Sequence, residues 1–205
     1  MDNYFKPMSG VQIEDIEHGV KEILSAITGL TEDKWPEGIK NTPHRVAKMY
    51  EEVFQGMAFS NDEIAELFNK CFDEPEAKDL VVMSNIPAFS YCEHHMALMY
   101  NMKITVAYVP DGRVIGLSKI ARIVDLVTRR LQLQERIGED IAYIIEKICG
   151  TNNCMVVIKG EHSCMTARGI SKPGVCTHTA VVHGLFHENR TLREEVYNLI
   201  KENDQ

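Results

Sequence analysis

Apolar and polar positions alternate with a helical period through the first part of the chain. Over residues 9–29, apolar side chains recur at spacings of three and four, behind a capping box that starts at Ser9. Thr42 stands before a proline and predicts the capped start of a second helix, because proline at the first helical position loses no hydrogen bond. A short third helix is expected over residues 61–71. We therefore predict an N-terminal helical region over residues 1–78.

The period changes at about residue 79, where alternation over two positions replaces the helical spacing. Ser118 is the expected N-cap of the first helix after this change. The order strand, strand, helix, helix, strand, strand predicts an α+β core over residues 79–188, followed by a C-terminal helix over 189–205. The predicted elements are a bent strand over 80–89, a strand over 99–109, helices over 119–134 and 136–149, strands over 155–158 and 177–182, and a last helix from Thr191.

The four main strands would make a small sheet with exposed edges. An exposed edge offers unpaired backbone N–H and C=O groups to another chain. We therefore expect an oligomer, whose subunits could join their sheets into a closed barrel.

Composition narrows the class of protein. A chain of 205 residues with 44% hydrophobic and 25% charged residues is typical of a soluble globular protein with one large domain, or with one domain and an appendage. No apolar run approaches a membrane span and no secretory signal is expected. The six cysteines then favour free thiols or metal ligands in a reducing cytoplasm. A formal net charge of −8 argues against nucleic-acid binding.

Two clusters of cysteine and histidine carry the candidate chemistry. Cys92 and His95 have the C-x-x-H spacing common in zinc sites. His162 and Cys164, two residues apart in an extended segment, would point to one face. We predict that Cys92, His95 and Cys164 hold a catalytic zinc ion, since three protein ligands leave a fourth position open. His94 and His162 would stay unligated beside the metal and carry protons.

Other interpretations of the two clusters stay open at this point. A single C-x-x-H is a weak signal, and a buried cysteine is usually a small core residue. A structural zinc ion would need a fourth ligand, which one of the spare histidines could supply.

A basic segment follows the predicted strands and suggests a phosphate site. Lys119 and Arg122 share a helix face near its N-terminus, which itself favours anions, and Ser118 adds a hydroxyl. Arg168, four residues after Cys164, could bring a further cation. The alternative is an ordinary solvated helix face.

The pair Gln134-Glu135 could read the edge of a guanine. A carboxylate accepts two N–H donors and an amide can serve a carbonyl, which is the pattern of that edge. Without other context, the pair would be a surface pair at a helix junction.

Taken together, the motifs resemble those of one enzyme family. They occur in order, and at that family's spacing, over about residues 10–186. Through these motifs, the chain resembles the GTP cyclohydrolase I family. The motifs are Thr42-Pro43-x-Arg45-Val46-Ala47-Lys48-Met49-Tyr50, Cys92-Glu93-His94-His95, Val106-Ala107-Tyr108-x-Pro110, Gly116-Leu117-Ser118-Lys119-x-Ala121-Arg122, Arg129-Arg130-Leu131-Gln132-x-Gln134-Glu135 and His162-x-Cys164-Met165-x-x-Arg168-Gly169.

The resemblance implies a fold, an assembly and a role for each matched residue. The fold would be the tunnelling fold (ββααββ) with an N-terminal helical extension, and the assembly a homodecamer with active sites between subunits. The implied zinc ligands are Cys92, His95 and Cys164, the proton carriers His94, His162 and Ser118, the guanine readers Gln134 and Glu135, and the ribose and triphosphate contacts Ser118, Lys119, Arg122 and Arg168, with Arg45 from another subunit.

The resemblance also implies a reaction. GTP and water would give 7,8-dihydroneopterin triphosphate and formate, the first step of pterin and folate biosynthesis, in the cytoplasm. His162 would protonate N7 of the purine as the imidazole ring opens. Zinc would serve the hydrolytic steps and not the closure of the pterin ring.

The chain departs from the usual family pattern in three places. Residues 96–101 replace a Pro-Phe-x-Gly run, residues 177–184 replace a segment rich in Thr, Ser and Gly, and Ile137-Gly138 replaces Leu-Thr. We expect His178 and His183 to be packing residues. The four remaining cysteines, Cys71, Cys149, Cys154 and Cys176, are expected to be free thiols.

Two other functions stay open from sequence. One is a tunnelling-fold relative with different pterin or deazapurine chemistry, such as a nitrile reductase, which would need Cys92 as a nucleophile. The other is a non-catalytic binding protein with structural zinc.

Overall fold

The computed structural model describes residues 6–202, except for the side chain of Val11. The chain divides into two compact units at the junction of Ala58 and Phe59. The three segments predicted from sequence, 1–78, 79–188 and 189–205, stay a prediction.

The N-terminal unit is helical, as the pattern indicates. Ser9 and Gln12 form the expected capping box, in which the Ser9 hydroxyl accepts from the Gln12 N–H and the Gln12 side chain accepts from the Ser9 N–H. Thr42 is the first residue of its helix and Asn41 is the N-cap, so the predicted cap is wrong by one residue. The helices are α1 (Gly10–Thr28), α2 (Glu37–Lys40) and α3 (Thr42–Val53), with 3-10 turns at Glu32–Lys34 and Gln55–Ala58.

The larger unit confirms the predicted order of strands and helices and adds short elements between them. A mixed α+β fold is thus confirmed. Its elements are α4 (Asn61–Leu67), β1 (Cys71–Asp73), β2 (Val81–Cys92), β3 (Ala97–Tyr108), β4 (Arg113–Ile115), α5 (Leu117–Thr128), β5 (Leu131–Gln132), α6 (Gln134–Cys149), β6 (Cys154–His162), α7 (Ser163–Thr166), β7 (Cys176–Val182), α8 (Leu185–Glu188) and α9 (Arg190–Glu202).

A curled sheet of five strands in the order β5-β2-β3-β6-β7 organises this unit. The pairs β2–β3, β3–β6 and β6–β7 are antiparallel, and β2–β5 is parallel. Because β5 covers only Tyr91 and Cys92, most of β2 lies at an open edge, where Pro87 can be tolerated without an N–H. Register shifts flank Pro87 on both sides, so the predicted bend at this proline is confirmed.

One face of the sheet packs against α5 and α6. Ile104 and Val106 of β3 pair in register with Ile158 and Val156 of β6, and all four are fully buried. Helix α6 approaches this face closely at Gly138. A Cβ there would lie 2.8 Å from a methyl carbon of Val181, so the packing requires glycine.

The opposite face is covered over only part of its area. Ala107 of β3 and Met155 of β6 pack against Phe186 of α8 and Val196 of α9. Further along the same face, Lys103 and Lys159 are exposed. The C-terminal helices therefore leave one end of this face open.

The helix predicted over residues 119–134 is shorter than expected. Helix α5 ends at Thr128, because Arg130 and Gln132 turn inward to the partly buried carboxylate of Asp140. The Arg130 guanidinium lies 3.3 Å from Asp140 and donates to Asn61 at 2.8 Å, while the Gln132 amide donates to Asp140 at 2.8 Å. Buried polar groups need such partners. The polar network thus overrides the helical pattern.

The start of α5 also differs from the expectation. Gly116 is its N-cap, and Ser118 lies in the first turn with an exposed side chain. The predicted capping role of Ser118 is wrong. Its hydroxyl is instead presented to solvent.

Within the described residues, no helix combines the length and the apolar character needed to cross a bilayer.

Candidate metal centre and substrate site

The fold brings together the three residues predicted as zinc ligands. Cys92 is the last residue of β2, His95 lies in the following turn, and Cys164 lies in α7, directly after β6. One ligand atom from each residue lies within 4.8 Å of the others. Zinc bonds of about 2.0–2.3 Å in a tetrahedron place ligand atoms roughly 3.3–3.8 Å apart. Two thiols and an imidazole whose ligand atoms lie within 4.8 Å of one another form a donor set that suits zinc, and they leave a fourth position open.

The turn that carries His95 is fixed at both ends. The Glu93 N–H donates to the Gln132 carbonyl at 3.1 Å, and Met96 closes the turn in the left-handed region with φ of 50°. The Glu93 carboxylate accepts from both terminal nitrogens of Arg136 in α6, at 2.6 and 3.2 Å. The Arg136 hydrogen bond lowers the pKa of Glu93. The turn that carries His95, a predicted zinc ligand, is therefore held by the contact between Glu93 and Arg136.

Cys164 reaches the site by a different route from the one predicted. The expectation was an extended segment in which His162 and Cys164 share a face, but β6 ends at His162 and Ser163–Thr166 is a helical turn. The Ser163 hydroxyl donates to the Leu98 carbonyl of β3 and anchors this turn. The convergence with Cys92 was predicted correctly, and the backbone that achieves it was not.

The thiol of Cys164 favours its protonated form in the absence of a cation, because its pKa is raised. Burial raises the pKa of Cys164, and the charge of Cys92 and a hydrogen bond with it raise this pKa further. A metal cation reverses this balance, because thiol ligands bind as thiolates.

His162 is held by Gln134 in a defined tautomer. Gln134 is 2% exposed, and its Nε2 lies 3.3 Å from the Ile158 carbonyl and 3.1 Å from the Thr177 carbonyl. Carbonyls only accept, so this contact fixes the amide orientation. Gln134 Oε1 must then accept from His162 Nε2, at 2.9 Å. The proton of neutral His162 sits on Nε2, and Nδ1 is the nitrogen that can take up another.

Two opposing effects shift the pKa of His162. Burial lowers the pKa of its imidazole, and the nearby Glu135 carboxylate offsets part of this shift. Glu135 is exposed in the first turn of α6. A half-buried histidine two residues before Cys164 is thus influenced by a solvent-accessible carboxylate.

His94 and Arg168 lie at the rim of the same site. His94 is exposed, and its Nδ1 is 3.8 Å from the Cys92 sulfur. A guanidinium nitrogen of Arg168 lies 2.6 Å from His95 Nε2. Both predicted residues are thus close to the predicted ligands.

The remaining predicted contacts lie on other elements. Lys119 donates to the Lys70 carbonyl at 3.0 Å, near the start of β1, and Arg122 is half-buried in α5. Arg45 is exposed on α3 of the N-terminal unit. The phosphate roles of Ser118, Lys119, Arg122 and Arg45 stay predictions.

Sequence reasoning missed the contact between Arg136 and Glu93. Glu93 belongs to the cysteine and histidine motif, and Arg136 is one of several basic residues in the segment 118–136. Nothing in their spacing of 43 residues signals a contact, because it depends on how α6 packs beside β2.

The fold and the site together define a class, a mixed α+β protein with a cysteine-histidine group at the end of its sheet that could hold a metal ion. Residues 16–201 match the sequence profile of GTP cyclohydrolase I. The chain belongs to the GTP cyclohydrolase I family, which confirms the resemblance and the expectation that the protein is an enzyme, a hydrolase.

Curated relatives agree with the profile. A protein named GTP cyclohydrolase 1 from Clostridium botulinum (strain Kyoto / Type A2) is 56% identical over 182 residues, 86% of this chain and 91% of the relative. A protein of the same name from Clostridium acetobutylicum is 54% identical over 185 residues, 88% of this chain and 95% of the relative.

Proposed function

We propose that the protein converts GTP and water into 7,8-dihydroneopterin triphosphate and formate, with zinc at Cys92, His95 and Cys164. The observation that carries the proposal is the convergence of these three ligands beside His162. The family to which the chain belongs and the names of its relatives support GTP as the substrate. The ligand set also disfavours a nucleophilic Cys92, because a ligated thiolate is not free to attack a substrate.

Zinc bound at these ligands would supply activated water for the two hydrolytic steps. The protein supplies the protons. His162, with Nε2–H committed to Gln134, holds and releases a proton at Nδ1, where it can protonate N7 of the purine. His94 and Ser118 are the further proton carriers that we propose for opening of the ribose.

Recognition of the substrate divides into a purine end and a phosphate end. Glu135 is exposed and can accept the N–H donors of guanine. Gln134 is already bonded within the protein, so its proposed guanine contact would come in addition to holding His162. Ser118, Lys119, Arg122 and Arg168, with Arg45 of another subunit, are the proposed ribose and triphosphate contacts.

The proposed assembly is a decamer in which tunnelling-fold subunits close their sheets into a barrel. The sheet supports this, because β7 forms one edge and most of β2 lies open at the other. Unpaired strand edges favour pairing with another copy. Cytoplasmic location is part of the same proposal, as are the absence of membrane and nucleic-acid partners.

The decisive experiment incubates the purified protein with GTP, with and without a chelator, and measures formate, the pterin product and zinc content. We expect about one zinc per chain and loss of product on chelation. Cys164→Ala should lose zinc and turnover, and His162→Ala should lose turnover and keep zinc. Full activity of metal-free wild type would contradict the proposal.

A further inference from the structure

A row of basic side chains crosses three strands on the open face of the sheet. Lys103 of β3 is paired in register with Lys159 of β6, which is paired with His178 of β7. All three side chains are exposed. Like charges directly opposite each other destabilise a sheet. The row therefore has a cost to stability that an anion would remove.

Within residues 6–202, no carboxylate forms an ion pair with the two lysines of this row. Glu161, two residues from Lys159 and on the same face, accepts a hydrogen bond from Asn101 at 2.9 Å instead. The positive charge of the two lysines is thus uncompensated by the described part of the chain.

Beside this row lies a small cavity with a hydroxyl in its wall. The cavity holds about 80 Å³, and its lining includes Lys103, Lys159, His178, Thr105 and Asn85. Thr105 is only 4% exposed as a residue, and its hydroxyl, which makes no hydrogen bond within the described residues, is not sealed from solvent. A hydroxyl that faces a cavity in this way can donate to a ligand there.

The backbone is shaped around the cavity. Asn85 adopts φ of 57°, in the left-handed region that asparagine tolerates, at the register shift between Met83 and Ile86. Such bulges redirect a side chain out of the regular alternation. Here the bulge places the Asn85 side chain in the same wall as Thr105.

We propose that Lys103, Lys159, Thr105 and His178 form an anion site that binds a phosphate group. Ammonium, imidazole, hydroxyl and amide donors suit a tetrahedral oxyanion. A cavity of about 80 Å³ has room for one phosphate group.

The phosphate could be free or part of an organic ester. A groove of about 540 Å³ shares Val157, His178 and Ile200 with the cavity and continues along α9 past Tyr197. The organic part of a phosphate monoester would lie in this groove. Both sources share the phosphate chemistry and differ in whether the groove is used.

This site is separate from the proposed GTP site. Lys159 and His162 are three residues apart on β6, so their side chains leave opposite faces of the strand. Lys119, a proposed triphosphate contact, belongs to α5, which packs on the other face. The anion site is therefore a second binding function.

Calorimetry and phosphorus NMR at low ionic strength test the site with two probes, inorganic phosphate and phenyl phosphate. We expect wild type to bind both. Lys103→Gln and Lys159→Gln should each weaken phosphate binding about ten-fold or more, because a charge-assisted hydrogen bond is lost. The matched control Lys78→Gln removes an exposed lysine without an ion-pair partner in the described residues and should leave binding within two-fold.

Thr105→Val separates a ligand role from a structural one. Valine keeps the shape and removes the hydroxyl, so phosphate binding should weaken while the melting temperature does not fall. Tighter binding of phenyl phosphate than of phosphate would identify an ester in the groove, and equal binding a free anion.

The outcomes that overturn the proposal are equally clear. One is no binding of either probe by wild type. The other is phosphate binding that survives in the Lys103→Gln/Lys159→Gln double variant and disappears in Lys119→Gln, which would place all phosphate binding at the GTP site.

Discussion

Arg136 donates to both carboxylate oxygens of Glu93, at 2.6 and 3.2 Å, and so ties the turn between Cys92 and His95, two of the proposed zinc ligands, to α6. The first turn of the same helix carries Gln134 and Glu135. A single helix therefore sets the position of His95 and of the groups around His162.

The first prediction concerns this tie. Arg136→Met should weaken zinc affinity about ten-fold, because partners that orient a metal site typically contribute 10- to 100-fold and this pair is partly exposed. Competition with a chromogenic chelator measures the affinity. Lys147→Met is the matched control, since it breaks the Lys147–Asp62 pair on the same helix. Equal zinc affinities in the two variants would contradict the prediction.

The second prediction concerns the tautomer of His162. Gln134→Leu removes the acceptor of Nε2–H, so the imidazole can rotate, and kcat should fall about 100-fold with zinc content unchanged. A lost guanine contact would instead appear as a raised KM. Steady-state formate release separates the two effects.

Thr179→Val is the control for that measurement. It removes one partner of the Gln134 amide, at 3.3 Å, and leaves the two carbonyls that fix the amide orientation. Its kcat should stay close to that of wild type. An unchanged kcat in Gln134→Leu would refute the positioning role.

The third prediction concerns the contact between α6 and β7. Gly138→Ala places a Cβ 2.8 Å from a methyl carbon of Val181, and overpacking of this kind destabilises a protein by about 1–3 kcal/mol. The higher helix propensity of alanine offsets only about 1 kcal/mol of this loss. We expect a lower free energy of unfolding in urea. In a Val181→Ala background the clash is absent, and the same change should become stabilising. An effect of the same sign in both backgrounds would show that the close approach is not responsible.

The fourth prediction concerns the buried network at the end of α5. Burial lowers the pKa of Arg130 and Asp140 opposes the shift, so Asp140→Ala leaves a poorly compensated buried cation. The loss should cost about 3 kcal/mol of stability. Asp62→Ala breaks the exposed ion pair between Asp62 and Lys147 of α6, the helix that also carries Asp140. This change should affect the free energy of unfolding little. Urea unfolding of both variants makes the comparison, and similar losses would contradict it.

The hydrophobic pattern predicted the order of the main elements because each strand and helix buries one regular face. It failed between Arg130 and Gln132, where the deciding contact is with Asp140 in the next helix. An apolar period carries no information about such a polar network.

The candidate site shows the same division. The residue types and spacings of Cys92, His95 and Cys164 predicted that they converge, since few other roles require a thiol and an imidazole so close. The burial of Gln134 was not predicted, because its partners are backbone carbonyls of β6 and β7 that any sequence would provide. Nor does the sequence reveal the short helical turn that carries Cys164.

The close contact of Gly138 with Val181 also restricts the order in which the sequence can change. A larger residue at position 138 is accommodated only after position 181 has become small, whereas the reverse order passes through a clashing intermediate. Positions 138 and 181, 43 residues apart, thus compete for the same space. A larger residue taken from a relative cannot be introduced at one of them without a change at the other.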